Sequence, residues 1–248
     1  MKGENGNQPT LETLQNWVCQ AHRLVFFGGA GVSTESDIPD FRSADGLYRK
    51  RYPYPPEEIL SHAFFLHHPE AFFTFYRERM LYPEAEPNAA HRALAQWEAQ
   101  GKLALVVTQN IDGLHRAAGS KKVVELHGSV HRNTCMRCGR AYGVEAVLDS
   151  RGVPHCACGG IIKPDVVLYG ETLDQDDLTR AVHAIAQADV LIVAGTSLAV
   201  YPAAGLIDAY QGRHLVLINR DATPADDRAD LLLHEKVGAV LGALHVET

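Results

Sequence analysis

Leu103-Ala104-Leu105-Val106-Val107-Thr108-Gln109-Asn110-Ile111-Asp112 is the stretch that decides the fold. Its first five residues are apolar and two of them β-branched, the mark of a short strand buried on both faces. The run then breaks into Thr-Gln-Asn-Ile-Asp, four polar side chains around one apolar residue. In an open α/β sheet ligands sit beyond the carboxyl ends of parallel strands, so a site belongs at this break. Fifteen residues past Asp112, His127 follows a second apolar run, Val123-Val124-Glu125-Leu126. Two strand ends thus deliver an amide pair, a carboxylate and an imidazole, the material of acid–base work on a polar substrate. Either stretch alone reads as a polar loop with a solvated histidine. The remaining motifs change that reading.

Upstream, Leu24-Val25-Phe26-Phe27 runs into Gly28-Gly29-Ala30-Gly31-Val32-Ser33, and Ser33-Thr34-Glu35 reads as a helix start. Strand, glycine turn and helix form the context of a dinucleotide-binding turn, in which bare backbone approaches phosphates. The third glycine and the ribose-binding acid of the full fingerprint are missing. Downstream, Val166-Val167-Leu168 resumes the parallel-sheet pattern. Val190-Leu191-Ile192-Val193-Ala194 ends in Gly195-Thr196-Ser197, Leu215-Val216-Leu217-Ile218 ends in Asn219-Arg220-Asp221, and Leu231-Leu232-Leu233 precedes a closing helix. Helices alternate with these strands: one capped by Thr10 with Leu11, Leu14, Val18 and Ala21 in phase, and one capped by Asn88 with Ala90, Leu94 and Trp97 inward. A third runs from Asp174 to Ala188 with Leu178, Val182 and Ile185 on one face. The aromatic stripe of residues 57–82 reads as helix packing. The class is α/β, a doubly wound Rossmann-type parallel sheet.

A net charge of −7 without a Lys/Arg run argues against direct nucleic-acid binding. No apolar run approaches a membrane span, and the N-terminus has no apolar signal core, so a cytoplasmic protein is expected. Cys19 reads as a small core residue. The other four cysteines, Cys135, Cys138, Cys156 and Cys158, fall within 24 residues, which in a cytosolic chain marks a metal site before a disulfide framework. The first pair has Cys-x-x-Cys spacing suited to tetrahedral zinc; the second, Cys156-Ala157-Cys158, is one residue tighter, which makes His155 an alternative ligand to Cys156. Four thiolates are the preferred set. Around them, residues 129–162 have little apolar periodicity and read as a small insertion held by metal rather than by a core.

Taken in order, Gly29-Ala30-Gly31-Val32-Ser33, Pro39-Asp40-Phe41-Arg42, Thr108-Gln109-Asn110-Ile111-Asp112, Leu126-His127-Gly128, the four cysteines and Gly195-Thr196-Ser197 resemble the sirtuins, the NAD-dependent protein deacylases. The match runs from about Leu11 to the C-terminus. Ala44-Asp45-Gly46-Leu47-Tyr48 and Tyr54-Pro55-Pro56-Glu57 look most like the bacterial branch that includes Gram-positive enzymes. Asp37 stands where the family usually has glycine, a position where Asp tolerates left-handed backbone.

The resemblance implies a discontinuous Rossmann-type NAD-binding domain (10–50, 85–128 and 163–248), a zinc-binding module (129–162), a helical part of the small domain with the cofactor loop (51–84) and a mobile tail (1–9). It implies NAD and zinc as cofactors and acyl-lysine proteins as partners, with no nucleic acid, no membrane and a monomer expected. His127 would be the general base for a ribose hydroxyl, with Asn110 beside it as the second catalytic residue. Gly29, Ala30, Gly31, Thr34, Asp40, Phe41 and Arg42 would contact NAD, with Phe41 near the nicotinamide. Gln109, Asn110, Ile111, Asp112 and His127 would line the nicotinamide and ribose pocket. Gly195, Thr196, Ser197, Asn219 and Val237 would hold the adenosine half. Val166, Val167, Tyr169, Gly170 and Glu171 would meet the substrate peptide, by strand addition at Val166 and Val167. The activity implied is transfer of acetyl from lysine to ADP-ribose, releasing nicotinamide and O-acetyl-ADP-ribose.

Tyr76 and Arg79 resemble the Tyr-x-x-Arg pair that desuccinylase-type sirtuins use for acidic acyl groups, but this stretch is expected to be solvated helix surface. An ADP-ribosyltransferase and a non-catalytic NAD or ADP-ribose sensor are the rival readings. An ordinary dehydrogenase leaves the cysteines unexplained.

Overall fold

The computed structural model describes residues 11–41 and 52–246. Arg42, the 44–48 segment, Thr10 and the 1–9 tail therefore lie outside the described residues. The strands are β1 (Leu24–Gly28), β2 (Leu103–Thr108), β3 (Val123–Glu125), β4 (Gly128–Cys135), β5 (Ala141–Tyr142), β6 (Ile162–Val166), β7 (Val190–Ala194), β8 (His214–Ile218) and β9 (Leu231–Leu233). The α-helices are α1 (Leu11–Gln20), α2 (Pro56–Ile59), α3 (His62–His67), α4 (Pro69–Arg79), α5 (Ala89–Ala99), α6 (Leu114–Ala117), α7 (Glu145–Leu148), α8 (Gln175–Ala186) and α9 (Val237–Gly242).

Six parallel strands form the main sheet in the order β3-β2-β1-β7-β8-β9. The chain crosses from β1 to its neighbours on both sides, which puts the switch point between β1 and β7, where such sheets hold ligands. Both faces are covered. Leu14 and Val18 of α1, Leu94 and Trp97 of α5 and Leu241 of α9 pack on one face against Leu24, Phe26, Val106 and Ile192. Ala181, Ala184 and Ile185 of α8 pack on the other with the 3-10 segment Ala203–Ala209. Burial on both sides is why β1 and β7 carry unbroken apolar runs.

The local signals act as expected at α5. The Asn88 side chain accepts the Ala90 and His91 amides, and His91 Nδ1 accepts the Asn88 amide, a reciprocal cap. Gly101 then ends the segment at φ 77°. On α8, Asp174 caps the helix, but Val182 faces solvent at 39% exposure. The sheet-facing stripe runs through Ala181 and Ala184, whose small side chains let the helix sit close.

Two further expectations are corrected. Ser33-Thr34-Glu35 opens no α-helix; the chain makes two 3-10 turns, Ala30–Val32 and Thr34–Ser36, and stops at Asp37 in the left-handed region, φ 61°. The Val166–Leu168 segment does not resume the parallel sheet. It continues β6, which pairs antiparallel with β4 in a separate sheet, β5-β4-β6. Apolar runs alone do not say which sheet receives a strand.

That small sheet is also not held by metal alone. Val130, Val147, Val166 and Leu168 share one core with Phe64, Phe65, Phe72, Phe73, Phe75 and Tyr76 of α3 and α4. Arg77 fastens the two parts, donating from Nε to the Val147 carbonyl at 2.8 Å and from Nη2 to Ser150 Oγ at 2.6 Å and to the Gly152 carbonyl.

Candidate active site

One cavity of about 780 Å³ lies beyond the carboxyl ends of β1, β2 and β7 and reaches the β6 segment. Its floor is a glycine contact. The Gly31 amide donates to the Gly195 carbonyl at 2.8 Å, and a Cβ on Gly31 would sit 2.7 Å from Gly195 Cα. Gly195 itself has φ 60°, and a Cβ there would meet the Val32 nitrogen at 2.4 Å. Only bare backbone allows the two strand ends to meet so closely.

Around this floor runs a chain of side chains. Asn110 Nδ2 donates to Ser33 Oγ at 3.0 Å, and Ser33 Oγ donates to Asp112 Oδ2 at 2.7 Å. Asp112 Oδ1 takes the Leu114 amide at 2.9 Å, and the Asp112 carbonyl takes His131 Nε2–H at 3.0 Å. Burial raises the Asp112 pKa, against the Leu114 and Ser33 bonds that favour its anion. Gln109 Nε2 donates to Thr196 Oγ1 at 2.9 Å, and the Thr196 amide donates to Asn219 Oδ1 at 2.9 Å. Asn219 Nδ2 is buried without a partner among the described residues. A buried donor left unpaired beside a bare-backbone cradle is what a polar nucleotide would complete.

His127 sits between the two sheets. Its Nδ1–H donates to the Gln109 carbonyl at 2.9 Å, because a carbonyl only accepts. That bond leaves Nε2 as the basic nitrogen. Burial lowers the imidazole pKa, outweighing the Gln109 bond that supports the cation.

Every described candidate for the catalytic, NAD and peptide sites lines this cavity: Gly29, Ala30, Gly31, Thr34, Asp40 and Phe41; Gln109, Asn110, Ile111, Asp112 and His127; Gly195, Thr196, Ser197, Asn219 and Val237; and Val166, Val167, Tyr169, Gly170 and Glu171. Tyr76 and Arg79 line it too. The solvated-helix expectation for that stretch is corrected: Tyr76 is fully buried and stacked on Phe72 at 5.5 Å, Arg77 braces the α7 region, and only Glu78 faces solvent. The Tyr76 hydroxyl and Arg79 Nε are buried without partners among the described residues.

Ser33 as the hub between Asn110 and Asp112, His131 behind Asp112, and Arg220 reaching Asp40 at 3.4 Å went unassigned in the sequence. Ser33 lies within a motif that sequence alone singles out, yet its partners are 77 and 79 residues away.

The four cysteines converge. Their sulfurs lie within 4.8 Å of one another, with Cys135 to Cys158 at 3.5 Å and Cys138 to Cys156 at 3.6 Å. Zinc with Zn–S bonds of about 2.3 Å needs tetrahedral edges of about 3.8 Å, so the cluster fits the ion. His155 is not part of it; its Nδ1 bonds the Val153 carbonyl. The tight Cys156-Ala157-Cys158 spacing therefore still supplies two thiolates.

The Sir2 family pattern matches residues 29–202. This chain is a sirtuin. It is 57% identical over 235 residues to the NAD-dependent protein deacetylase of Clostridium acetobutylicum, covering 93% of this chain and 96% of that one. Against the enzyme of the same name from Cutibacterium acnes it is 54% identical, covering 95% and 97%. Among solved structures, a Sir2 complex with deacetylated p53 peptide and 3′-O-acetyl ADP-ribose superposes with TM-score 0.86 at 40% identity, covering 94% of this sirtuin and 96% of that chain. A Sir2–p53 peptide–NAD⁺ complex gives TM-score 0.83 at 40% identity, covering 94% and 95%.

Proposed function

We infer that this sirtuin is an NAD-dependent protein lysine deacetylase. The observation that carries the reading is His127, held by the Gln109 carbonyl in the tautomer whose free Nε2 is a base, in a cavity that joins the glycine cradle to the β6 segment. When bound, NAD would supply an electrophilic ribose carbon and the acetyl acceptor, so that acetyl-lysine, NAD and water would give free lysine, nicotinamide and O-acetyl-ADP-ribose.

The chain's own residues orient and exchange protons. Gly29, Ala30, Gly31, Thr34, Asp40 and Phe41 contact NAD, with Phe41 near the nicotinamide; Gly195, Thr196, Ser197, Asn219 and Val237 hold the adenosine side. Gln109, Asn110, Ile111 and Asp112 fix the nicotinamide end, with Ser33 keeping the Asn110 and Asp112 side chains in register. Such positioning converts a bimolecular encounter into a near-intramolecular one, which a weak acyl-oxygen nucleophile requires. His127 Nε2 takes a ribose hydroxyl proton. An extended acyl-lysine peptide lies along Val166 and Val167, with Tyr169, Gly170 and Glu171 beside it. The zinc site is structural, since four protein ligands leave no position for water. A single chain supplies all these groups, as a monomeric enzyme requires, and NAD with protein substrates fits a cytoplasmic setting.

A second reading concerns the acyl group. Tyr76 Oη and Arg79 Nε stand unpaired among the described residues at the cavity wall, and burial, with Asp165 nearby, keeps the Tyr76 phenol neutral and able to donate. A dicarboxylic acyl tail would satisfy both. Mass spectrometry of acetyl- and succinyl-lysine peptides, with and without NAD, separates the possibilities. NAD-dependent loss of acetyl with O-acetyl-ADP-ribose formed is the expected result. Preferential loss of succinyl gives Tyr76 and Arg79 the specificity role, and loss of neither with NAD bound rejects the deacylase in favour of a transferase or sensor.

A further inference from the structure

The cavity wall at Thr34 is held from behind by side chains that do not line the cavity. Thr34 opens the turn Thr34–Ser36, and its Oγ1 donates to the Gly31 carbonyl at 3.0 Å. From the start of α5, Asn88 Nδ2 donates to the Val32 carbonyl at 2.8 Å and to Ser36 Oγ at 3.0 Å. Glu35, between Thr34 and Ser36, reaches the other way, to α9. Its Oε2 accepts the Gly238 amide at 2.6 Å, from 203 residues further along the chain. Among the described residues this is the hydrogen bond that ties the turn to α9.

The bond caps a helix that its own flanking residue leaves uncapped. The first amides of α9 have no intrahelical acceptor, and Lys236, at the N-cap position, supplies none from its side chain. A carboxylate satisfies such an amide and is favoured by the helix dipole. Gly238 makes the approach possible: a Cβ there would lie 2.6 Å from Glu35 Oε2 and 2.9 Å from its Cδ. Residues 35 and 238 are therefore a matched pair, an acceptor and the gap that admits it. The residue before each of them lines the cavity: Thr34 beside the glycine turn, and Val237 on the adenosine side.

We propose that Glu35 is a positioning residue for the dinucleotide: by bonding the Gly238 amide it fixes the span between Thr34 and Val237, and so the fit of NAD between the glycine turn and α9. This rests on the reading that Thr34 and Val237 both touch NAD. A ligand that bridges the two walls feels the span, whereas a peptide bound along β6 does not. Loss of the bond should therefore separate cofactor affinity from peptide affinity.

The test uses the zinc-loaded full chain. Calorimetry gives the ADP-ribose affinity, and steady-state kinetics with an acetyl-lysine peptide give the NAD and peptide KM. Amide exchange of residues 30–36 and 235–240 is followed with and without ADP-ribose. Losing a helix cap predicts that Glu35→Ala weakens ADP-ribose binding and raises the NAD KM about fivefold, with the peptide KM held. Glu35→Gln keeps an acceptor oxygen and should lose less. Gly238→Ala leaves Glu35 in place but fills its gap, so it should reproduce the Glu35→Ala loss even though alanine favours the helix. The two substitutions together should cost no more than either alone, because each removes the same bond. An ADP-ribose affinity for Glu35→Ala within about twofold of the parent's, with both segments protected by ADP-ribose in the parent, overturns the proposal alone. Fully additive losses in the double variant overturn it as well, as does a peptide KM raised as much as that of NAD, which would report general loosening. No protection of either segment in the parent overturns the reading of Thr34 and Val237 beneath it.

Discussion

In the parallel sheet, β1 and β7 are buried along their whole length and their ends are locked by glycine backbone contacts, whereas the small sheet β5-β4-β6 has exposed edges and converging thiols at one end. The first region obtains its rigidity from apolar area on two faces. The second shares one apolar patch with α3 and α4 and leaves the rest to four sulfurs. The active site is made where the two meet, with His127 between β3 and β4. Each region can therefore be perturbed with a different tool.

Metal removal should have the largest effect. Structural zinc in small domains carries on the order of 10 kcal/mol or more of binding free energy that is also folding free energy. A strong chelator is expected to abolish turnover and to speed amide exchange in β4 and β6, while β1, β2 and β7 stay protected. Unchanged exchange in β4 and β6 after metal analysis shows no zinc would mean the shared aromatic patch suffices.

His127 breaks the junction without unfolding either side. His127→Ala is expected to bind NAD and peptide yet lose about 10²–10⁴-fold in turnover, the usual contribution of a positioned acid–base group. Because the neutral imidazole is the base and burial lowers its pKa, the acid limb of the parent's kcat profile should lie below the ordinary histidine value. Turnover by His127→Ala at the parental rate, or an acid limb above that value, defeats the assignment.

The two regions also differ in how much of them the sequence discloses. Strands buried on both faces carry near-continuous apolar runs, so β1, β2, β7 and β8 stand out, and the polar residues at their carboxyl ends point to the site. Val166 is just as apolar but belongs to the antiparallel sheet, and composition does not encode which sheet it joins. Asp37 in left-handed backbone and the four-sulfur cluster follow from residue chemistry. Ser33 does not: its role depends on a fold that brings residues 77 and 79 positions away into hydrogen-bonding range. Tyr76 fails for a related reason, since a helix bearing Arg77, Glu78 and Arg79 looks solvated until its other side, with Phe72, Phe73 and Tyr76, is found in one core with Phe65, Val130 and Val166.

The smallest effect expected is an acid dependence specific to the parallel-sheet region. His91 is fully buried, its ring 4.6 Å from that of His115, and its Nδ1 accepts the Asn88 amide in the α5 cap. Burial, with Arg92 adding to it, pushes the His91 pKa down to about 4, and burial, with His91 adding to it, lowers that of His115 as well. With the folded value depressed, the unfolded chain takes up protons first as pH falls. Stability from this source is thus complete above about pH 6.5 and is lost between there and pH 4, by about 3 kcal/mol for His91. His91→Gln keeps an acceptor at the third helical position but does not titrate. Its unfolding free energy should decline less steeply than the parent's between pH 7 and pH 4.5 in denaturant titrations. Using the difference between the two proteins cancels whatever acid does at the zinc site. Parallel slopes would mean that His91 is charged or solvated in the native state, and that the cap beneath the Val32–Ser36 turn is looser than the bonds from Asn88 to Val32 and Ser36 indicate.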